Sequence, residues 1–137
     1  RPHKHIDLGG AVDTEKGLFV PVLRNIAARS DAELRDGLNQ LRSDVAARTI
    51  PAAELKGATI TLSNFGTMAG RYATPVVVPP QVAIIGAGVI REAALVEKGK
   101  IVIGKVLPIS LTFDHRVATG GEAARFLQIF ISSLEDK

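Results

Sequence analysis

The sequence predicts a domain of mixed α and β structure, and two observations carry this prediction. Two amphipathic stretches each begin with a capping box, in which Ser or Thr is followed three residues later by Glu. Around them lie short apolar runs rich in β-branched residues and bounded by Gly, Pro or Asn, a pattern typical of strands. With 137 residues, of which 46% are hydrophobic and 23% charged, the chain is globular in composition and long enough for one core.

The N-terminal part is predicted to form a β-hairpin. Residues 5–12 (HIDLGGAV) make its first strand, in which the Gly9–Gly10 pair indicates a bulge or a close backbone approach. Residues 18–23 (LFVPVL) return as the second strand after a turn. Because Pro21 has no N–H to donate, that strand is expected at a sheet edge or in an irregular position.

The first amphipathic helix is predicted to begin behind Ser30 and Glu33 and to run to about Ala47. Its apolar residues form one stripe, which we expect to pack in the core: Leu34, Leu38, Leu41 and Val45. The opposite face is charged and is expected to face solvent: Arg35, Asp36, Arg42 and Asp44. A short helix over residues 51–55, closed by Gly57, is predicted next.

A strand and a glycine-rich loop are predicted in the middle of the chain. Residues 58–63 (ATITLS) alternate and are β-branched, and residues 64–70 (NFGTMAG) follow as a loop. Ser63 lies where the strand becomes the loop. A hydroxyl at such a position is usually a local backbone partner and less often a donor aimed into a site. Residues 72–78 are predicted to be extended, up to Pro79–Pro80.

The segment 81–89 (QVAIIGAGV) is predicted to be a buried strand, and its Gly-Ala-Gly resembles part of a dinucleotide-binding fingerprint. We reject that interpretation, and with it a nucleotide-dependent oxidoreductase, because the third glycine would fall at Arg91. The next residues, 90–96, also have the pattern of a strand, where the fingerprint requires a helix. The small residues are instead expected to permit close packing.

A second hairpin and a long strand are predicted toward the C-terminus. Residues 90–96 turn at residues 98–100 into a strand over residues 101–113 (IVIGKVLPISLTF), interrupted at Gly104 and Pro108.

The long strand ends in Asp114-His115-Arg116, and a helix is predicted over residues 119–134 behind Thr119 and Glu122. Histidine is the side chain whose ordinary pKa lies nearest neutrality, so His115 is either an unremarkable surface residue or a proton carrier. The helix is apolar on more than one side, which indicates burial against a sheet or another subunit.

Composition excludes several classes of site. With no cysteine, the chain has no disulfide, thiolate metal site or cysteine nucleophile, which fits a reducing compartment. His3 and His5 lack a third ligand, so no metal is expected. The net charge of +3 is scattered and aromatic residues make up 4%, so nucleic acid is not an expected partner. No apolar run approaches the length of a membrane span and no signal-peptide pattern is present, so no membrane partner is expected.

Three segments together, 17–25 (GLFVPVLRN), 58–88 and 108–126 (PISLTFDHRVATGGEAARF), resemble the catalytic domain of dihydrolipoamide acyltransferases. These enzymes form the cores of 2-oxo acid dehydrogenase complexes. The resemblance implies a chloramphenicol acetyltransferase-like fold of the α/β (α+β two-layer) class, a mixed sheet with helices packed on one side. It also implies that residues 1–137 are the C-terminal part of a single catalytic domain, without the lipoyl and peripheral-subunit-binding domains.

The resemblance implies transfer of an acyl group, acetyl or branched-chain rather than succinyl, between lipoyl-lysine and coenzyme A. His115 of the DHR motif would be the general base on the attacking thiol, and Ser63 of the T-x-S-N-x-G motif would donate to the oxyanion. Thr119 stands at the third catalytic position, where the family has Asp or Asn. The remaining motif residues are assigned to substrate binding: Asn64, Gly66, Asp114 and Arg116.

The resemblance also implies an assembly. The family's active site lies between neighbouring subunits of a homotrimer, so His115 and Ser63 would lie far apart within one chain. The trimers build cubic or dodecahedral cores, whose partners are the lipoyl domain, the decarboxylase and the dihydrolipoamide dehydrogenase, in the bacterial cytoplasm or the mitochondrial matrix. The alternative is a structural core subunit without catalytic activity, which is favoured by Thr119 and by the missing N-terminal portion.

Overall fold

The computed structural model describes residues 3–135. This part of the chain contains nine strands: β1 Leu8–Gly10, β2 Val12–Thr14, β3 Gly17–Phe19, β4 Val22–Leu23, β5 Ile60–Asn64, β6 Ala83–Ala87, β7 Arg91–Glu97, β8 Lys100–Val106 and β9 Ile109–Phe113. It also contains two α-helices and two short 3₁₀ helices: α1 Asp31–Ala47, α2 Gly120–Glu135, and the 3₁₀ turns Ile26–Ala28 and Ala52–Leu55.

Five strands form a mixed sheet in the order β4-β1-β5-β6-β9. The three inner strands β1, β5 and β6 are parallel, and β4 and β9 pair antiparallel at the two edges. Helix α1 lies in the chain between β4 and β5. A helical crossover is expected there, because β1 and β5 are parallel neighbours in the sheet. Strands β2 with β3, and β7 with β8, form two separate hairpins. The predicted mixed α and β architecture is therefore confirmed.

Helix α1 packs on the β4 edge of the sheet, as its apolar stripe predicts. Val45 in the stripe is 4% exposed, and the other members of the stripe are half-buried. Gly37 allows a close approach, because a Cβ there would lie 2.6 Å from Cδ1 of Leu23. The predicted capping box is present: the Glu33 N–H donates to Ser30 Oγ at 3.3 Å and the Ser30 N–H donates to Glu33 Oε2 at 2.7 Å.

The predicted N-terminal hairpin exists, but both of its predicted strands are divided. β1 ends at Gly10 and β2 belongs to a different sheet, so residues 5–12 are not one strand. β3 and β4 also belong to different sheets, so residues 18–23 are not one strand either. The close approach predicted at Gly9 is confirmed, since a Cβ there would lie 2.8 Å from Thr61 Oγ1. Pro21 is fully buried beside the edge strand β4, and its carbonyl accepts the Gly10 N–H at 2.9 Å.

The predicted strand over residues 101–113 is also two strands, β8 and β9, in different sheets. Pro108 separates them, as predicted. Gly104 does not interrupt β8: it pairs with Ala93, and its missing side chain leaves room for Leu95, whose Cδ1 would lie 2.5 Å from a Cβ at this position.

The close packing predicted for the Gly-Ala-Gly segment is confirmed. A Cβ on Gly86 would lie 3.1 Å from Cε1 of Phe65, and one on Gly88 would overlap the carbonyl oxygen of Arg71. Strand β7 follows, not the helix that a dinucleotide site needs.

Candidate functional site

Ser63 lies near the end of β5, in the interior of the sheet. It pairs with Gly86 of β6, which in turn pairs with Ser110 of β9, so the three residues form one row across the sheet. Ser63 is half-buried and borders a groove of about 460 Å³. The opposite wall of the groove is formed by α1, and a groove of this size suits a small-molecule ligand.

The loop after Ser63 is held by backbone contacts that only a glycine permits. The Gly66 N–H donates to the Ala87 carbonyl at 3.1 Å and also to Asn64 Oδ1 at 3.2 Å. A Cβ on Gly66 would overlap the carbonyl of Gly88, so no other residue fits without a shift of the backbone. Asn64 and Gly66 thus shape the loop that follows Ser63, and their assignment to substrate binding stays a prediction.

His115 lies in the turn that follows β9, and its side chain is exposed. The imidazole packs against the ring of Phe113, with ring centroids 5.4 Å apart and planes tilted by 37°. The turn is attached to the sheet because the Asp114 N–H donates to the Val82 carbonyl at 2.7 Å. An exposed imidazole on a fixed backbone can exchange a proton with a bound substrate.

Asp114 and Arg116 close the same turn around His115. Oδ1 of Asp114 accepts from the backbone N–H and from Nε of Arg116, both at 3.0 Å, and Oδ2 lies 2.6 Å from Nη2. These hydrogen bonds from the Arg116 side chain and backbone lower the pKa of Asp114 to about 2. The Asp114 side chain is 21% exposed and that of Arg116 is 84% exposed. Both residues therefore have a local structural role, and their assignment to substrate binding stays a prediction.

Thr119 caps helix α2. Its Oγ1 accepts the Glu122 N–H at 3.3 Å and donates to Glu122 Oε2 at 2.8 Å, while the Thr119 N–H donates to the same carboxylate at 2.8 Å. These hydrogen bonds with Thr119 lower the pKa of Glu122. The predicted capping box is confirmed. The hydroxyl of Thr119 is engaged with the helix, so a catalytic role for Thr119 stays a prediction.

The fold places Ser63 and His115 at opposite ends of the sheet. Ser110, in the row of Ser63, is near the start of β9, whereas Phe113 at the end of β9 pairs with Ala83 at the start of β6. His115 is five residues beyond Ser110, which at strand spacing is on the order of 15 Å. The two side chains therefore do not meet within one chain, as the resemblance implied.

Sequence patterns did not reveal the α1 wall of the Ser63 groove. Arg35, Asn39 and Arg42 line it, although the charged face of α1 was expected only to face solvent. The amphipathic pattern identifies the polar face of a helix but not the loop that comes to lie beside it. A larger cavity of about 780 Å³, between the β2–β3 hairpin and the C-terminal half of α1, contains no residue of either motif.

Neither a metal site nor a membrane span is found in the described part of the chain. Residues 3–135 contain no group of three or more His, Asp or Glu side chains arranged to hold a metal ion. Within the same residues, no helix is long and apolar enough to cross a bilayer.

Comparison with known proteins extends over the whole sequence. The family model for the 2-oxoacid dehydrogenases acyltransferase (catalytic domain) matches residues 1–137. The chain is 42% identical to the dihydrolipoyllysine-residue acetyltransferase component of the pyruvate dehydrogenase complex of Bacillus subtilis, over 96% of this chain and 30% of that protein. It is 39% identical to the succinyltransferase component of the 2-oxoglutarate dehydrogenase complex of Azotobacter vinelandii, over 98% of this chain and 34% of that protein.

Solved structures of similar proteins have the same fold. The cubic core of the pyruvate dehydrogenase multienzyme complex matches with a TM-score of 0.87 at 36% identity, over 92% of this chain and 52% of that one. The Azotobacter vinelandii dihydrolipoamide acetyltransferase matches with a TM-score of 0.88 at 36% identity, over 93% and 53%. The chain thus spans about a third of these curated relatives and about half of these solved catalytic cores. From its sequence and its fold, the chain belongs to the family of 2-oxo acid dehydrogenase acyltransferase catalytic domains.

Proposed function

We propose that the chain is the C-terminal part of a catalytic domain that transfers an acyl group between a dihydrolipoyl-lysine arm and coenzyme A. One observation carries the assignment of residues. In the Azotobacter vinelandii enzyme, the serine, histidine and asparagine whose catalytic role was examined are spaced by 52 and then 4 positions. Ser63, His115 and Thr119 have the same two spacings in this sequence.

In the proposed reaction His115 acts as general base. A thiol has an ordinary pKa of about 8.5 and is mostly protonated at neutral pH, so a base that takes its proton increases the attacking thiolate. The thiol of coenzyme A gives its proton to His115, and its sulfur bonds to the carbonyl carbon of the acyl-lipoyl thioester. The tetrahedral intermediate then expels the lipoyl sulfur, which takes the proton back from the imidazolium.

Ser63 would stabilise the oxyanion of that intermediate. Its position beside a groove, on a strand held between two others, supports a fixed donor, and one such donor contributes about 3 kcal/mol to transition-state stabilisation. Coenzyme A and the lipoyl arm are both substrates here. Transfer between them is direct, so the absence of cysteine agrees with the mechanism.

The opposite placement of Ser63 and His115 supports a site made by two copies of the chain. A second copy must present its His115 to the first copy's Ser63 before both groups can reach one thioester. We therefore propose a homotrimer that assembles into a larger core, with the lipoyl domain, decarboxylase and dihydrolipoamide dehydrogenase as partners. The bacterial relatives support the bacterial cytoplasm as its location. Acetyl is the proposed acyl group. Because the chain is similar to both acetyltransferases and succinyltransferases, an assay with acetyl and succinyl donors tests this choice.

A structural core subunit without catalytic activity is the second candidate. The observation that favours it is Thr119, which stands where the Azotobacter vinelandii enzyme has the asparagine and whose hydroxyl is bonded to Glu122.

The test compares His115→Ala and Ser63→Ala with the unmodified chain in acyl transfer from S-acetyl-dihydrolipoamide to coenzyme A. We expect His115→Ala to lower kcat by about 10²–10⁴-fold, the usual contribution of a general base. Co-assembly of the two inactive variants should restore part of the activity, since some sites would combine an intact His115 with an intact Ser63. Unchanged rates would refute the assignment, and an inactive unmodified chain in an intact core would support the structural role.

A further inference from the structure

The side chain of Phe113 is fixed by the sheet immediately before the turn that contains His115. Phe113 is the last residue of β9, pairs with Ala83 of β6 and is half-buried. The pairing continues one residue further, because the Asp114 N–H donates to the Val82 carbonyl at 2.7 Å. Residues two apart on an extended chain project to the same side, so the fold brings the Phe113 ring and the His115 imidazole to one face.

The two rings contact each other on that face. Their centroids lie 5.4 Å apart and their planes are tilted by 37°. Aromatic rings prefer offset or tilted arrangements with centroids about 4.5–7 Å apart, so this contact is favourable. An exposed side chain without such a contact changes rotamer within picoseconds to nanoseconds. The contact therefore favours the rotamer in which the His115 imidazole lies against Phe113.

Among residues 3–135, no hydrogen bond orients the His115 imidazole. A catalytic base is commonly oriented by a third group, such as a carboxylate that accepts a hydrogen bond from its second nitrogen. The neighbouring carboxylate, Asp114, is engaged with Arg116: its Oδ1 accepts from Nε at 3.0 Å and its Oδ2 lies 2.6 Å from Nη2. The Phe113 ring is therefore the group in the described part of the chain that can hold the imidazole.

We propose that Phe113 is a positioning residue, which holds the His115 imidazole in the orientation from which it takes the thiol proton. This inference rests on the proposed role of His115 as general base. Phe113 acts on the reaction only through His115. Its contribution is pre-organisation, since an imidazole that is already oriented does not have to be brought into place at each turnover.

The test is the steady-state kinetics of Phe113→Leu in the full-length protein, with S-acetyl-dihydrolipoamide and coenzyme A as substrates. Leucine is also large and apolar but has no ring. We expect kcat to fall by about 3- to 10-fold, the range that corresponds to one aromatic contact. The KM for coenzyme A should not change, because the ring holds the base and not the substrate. Phe113→Tyr keeps the ring and should keep kcat.

Phe130→Leu is the matched control. Phe130 is also half-buried and also contacts another ring, that of Phe126, with centroids 6.1 Å apart. It lies in α2, on the order of 15 Å along the helix from its start at Gly120. This variant loses a ring contact that does not involve His115, so it should keep kcat.

A double-mutant cycle shows whether Phe113 acts through His115. Phe113→Leu should have no further effect on the residual rate of His115→Ala, because no imidazole is left to orient. A ring that only supports the fold would lower the rate by the same factor in both backgrounds, and that result overturns the inference. An unchanged kcat in Phe113→Leu also overturns it, as does a loss of kcat in Phe113→Tyr or Phe130→Leu equal to that in Phe113→Leu.

The same variants separate this inference from the proposed function. A His115→Ala chain that keeps its rate overturns both. If His115→Ala loses about 10²–10⁴-fold in kcat while Phe113→Leu loses nothing, only the role of Phe113 is overturned and His115 remains the base.

Discussion

At the Ser63 end of the five-stranded sheet, the loop of the candidate site packs against segments distant in sequence, whereas at the His115 end the side-chain contacts are between near neighbours. The loop after Ser63 depends on Ala87 and Gly88, more than twenty residues further along the chain. The turn around His115 is closed by the adjacent Asp114 and Arg116. The first end should therefore be sensitive to packing changes, and the second should tolerate the loss of any one contact.

The largest difference is expected for Gly66→Ala. The added methyl group must displace the backbone at Gly88, so we expect the free energy of unfolding to fall by about 1–3 kcal/mol, as in other overpacked sites. Chemical denaturation measures this change. Gly120→Ala is the matched control at the His115 end, because a Cβ there meets nothing within 4 Å and alanine favours a helix. Equal losses for the two variants would contradict the comparison.

A smaller effect is expected for Thr119→Ala, which removes the N-cap of α2. The loss should be about 1 kcal/mol in the free energy of unfolding, and Thr119→Asn should lose much less because Asn is also a good cap. Ser30→Ala, in the same kind of capping box on α1, is the reference. If Thr119→Asn also raises kcat, the position contributes to catalysis as well as to the cap. Identical stability of the Ala and Asn variants would show that the cap contributes nothing.

The smallest effect concerns the pH dependence of the Asp114–Arg116 pair. The pKa of Asp114 is lowered from 3.8 to about 2 by its hydrogen bonds with Arg116, so the folded state binds this proton more weakly than the unfolded state. The pair therefore stabilises the fold above pH 3.8, and this contribution is lost as the pH falls toward 2. The Tm difference between the unmodified chain and Asp114→Asn should shrink over that range.

Arg116→Ala should reproduce part of the result for Asp114→Asn, since it removes the guanidinium but keeps the backbone N–H that also donates to Asp114. Because the Arg116 side chain is 84% exposed, the difference should also decrease at high salt. A Tm difference that is the same at pH 5 and at pH 2 would contradict the role of the ion pair.

Features that depend on near neighbours could be predicted from the sequence. The two capping boxes, the α1 stripe, the break at Pro108 and the rejection of a dinucleotide site all follow from residues within one turn or one strand. The motifs around Ser63 and His115 were also recognisable, because their spacing is a property of the sequence. Three strands were predicted where the structure has six shorter ones, since alternation does not show which sheet a residue joins.

The network at Arg24 illustrates what could not be predicted. Its guanidinium binds Asp7 at 3.4 Å and Glu54 at 3.2 Å and donates to the carbonyls of Ala53 and Lys56. These partners lie 17 to 32 positions away in the chain. No local pattern links them, because they are brought together only when the Ala52–Leu55 turn packs beside β4.

The capped helices, the family and the residues at the motif positions could be recognised from the sequence alone. Periodicity, helix capping and breaks at glycine or proline are short-range properties, because each depends on residues that are close together in the sequence. The tertiary structure decided that Ser63 and His115 lie at opposite ends of one sheet. Strand order and direction depend on pairing between distant segments, so only the folded chain determines on which end each side chain lies.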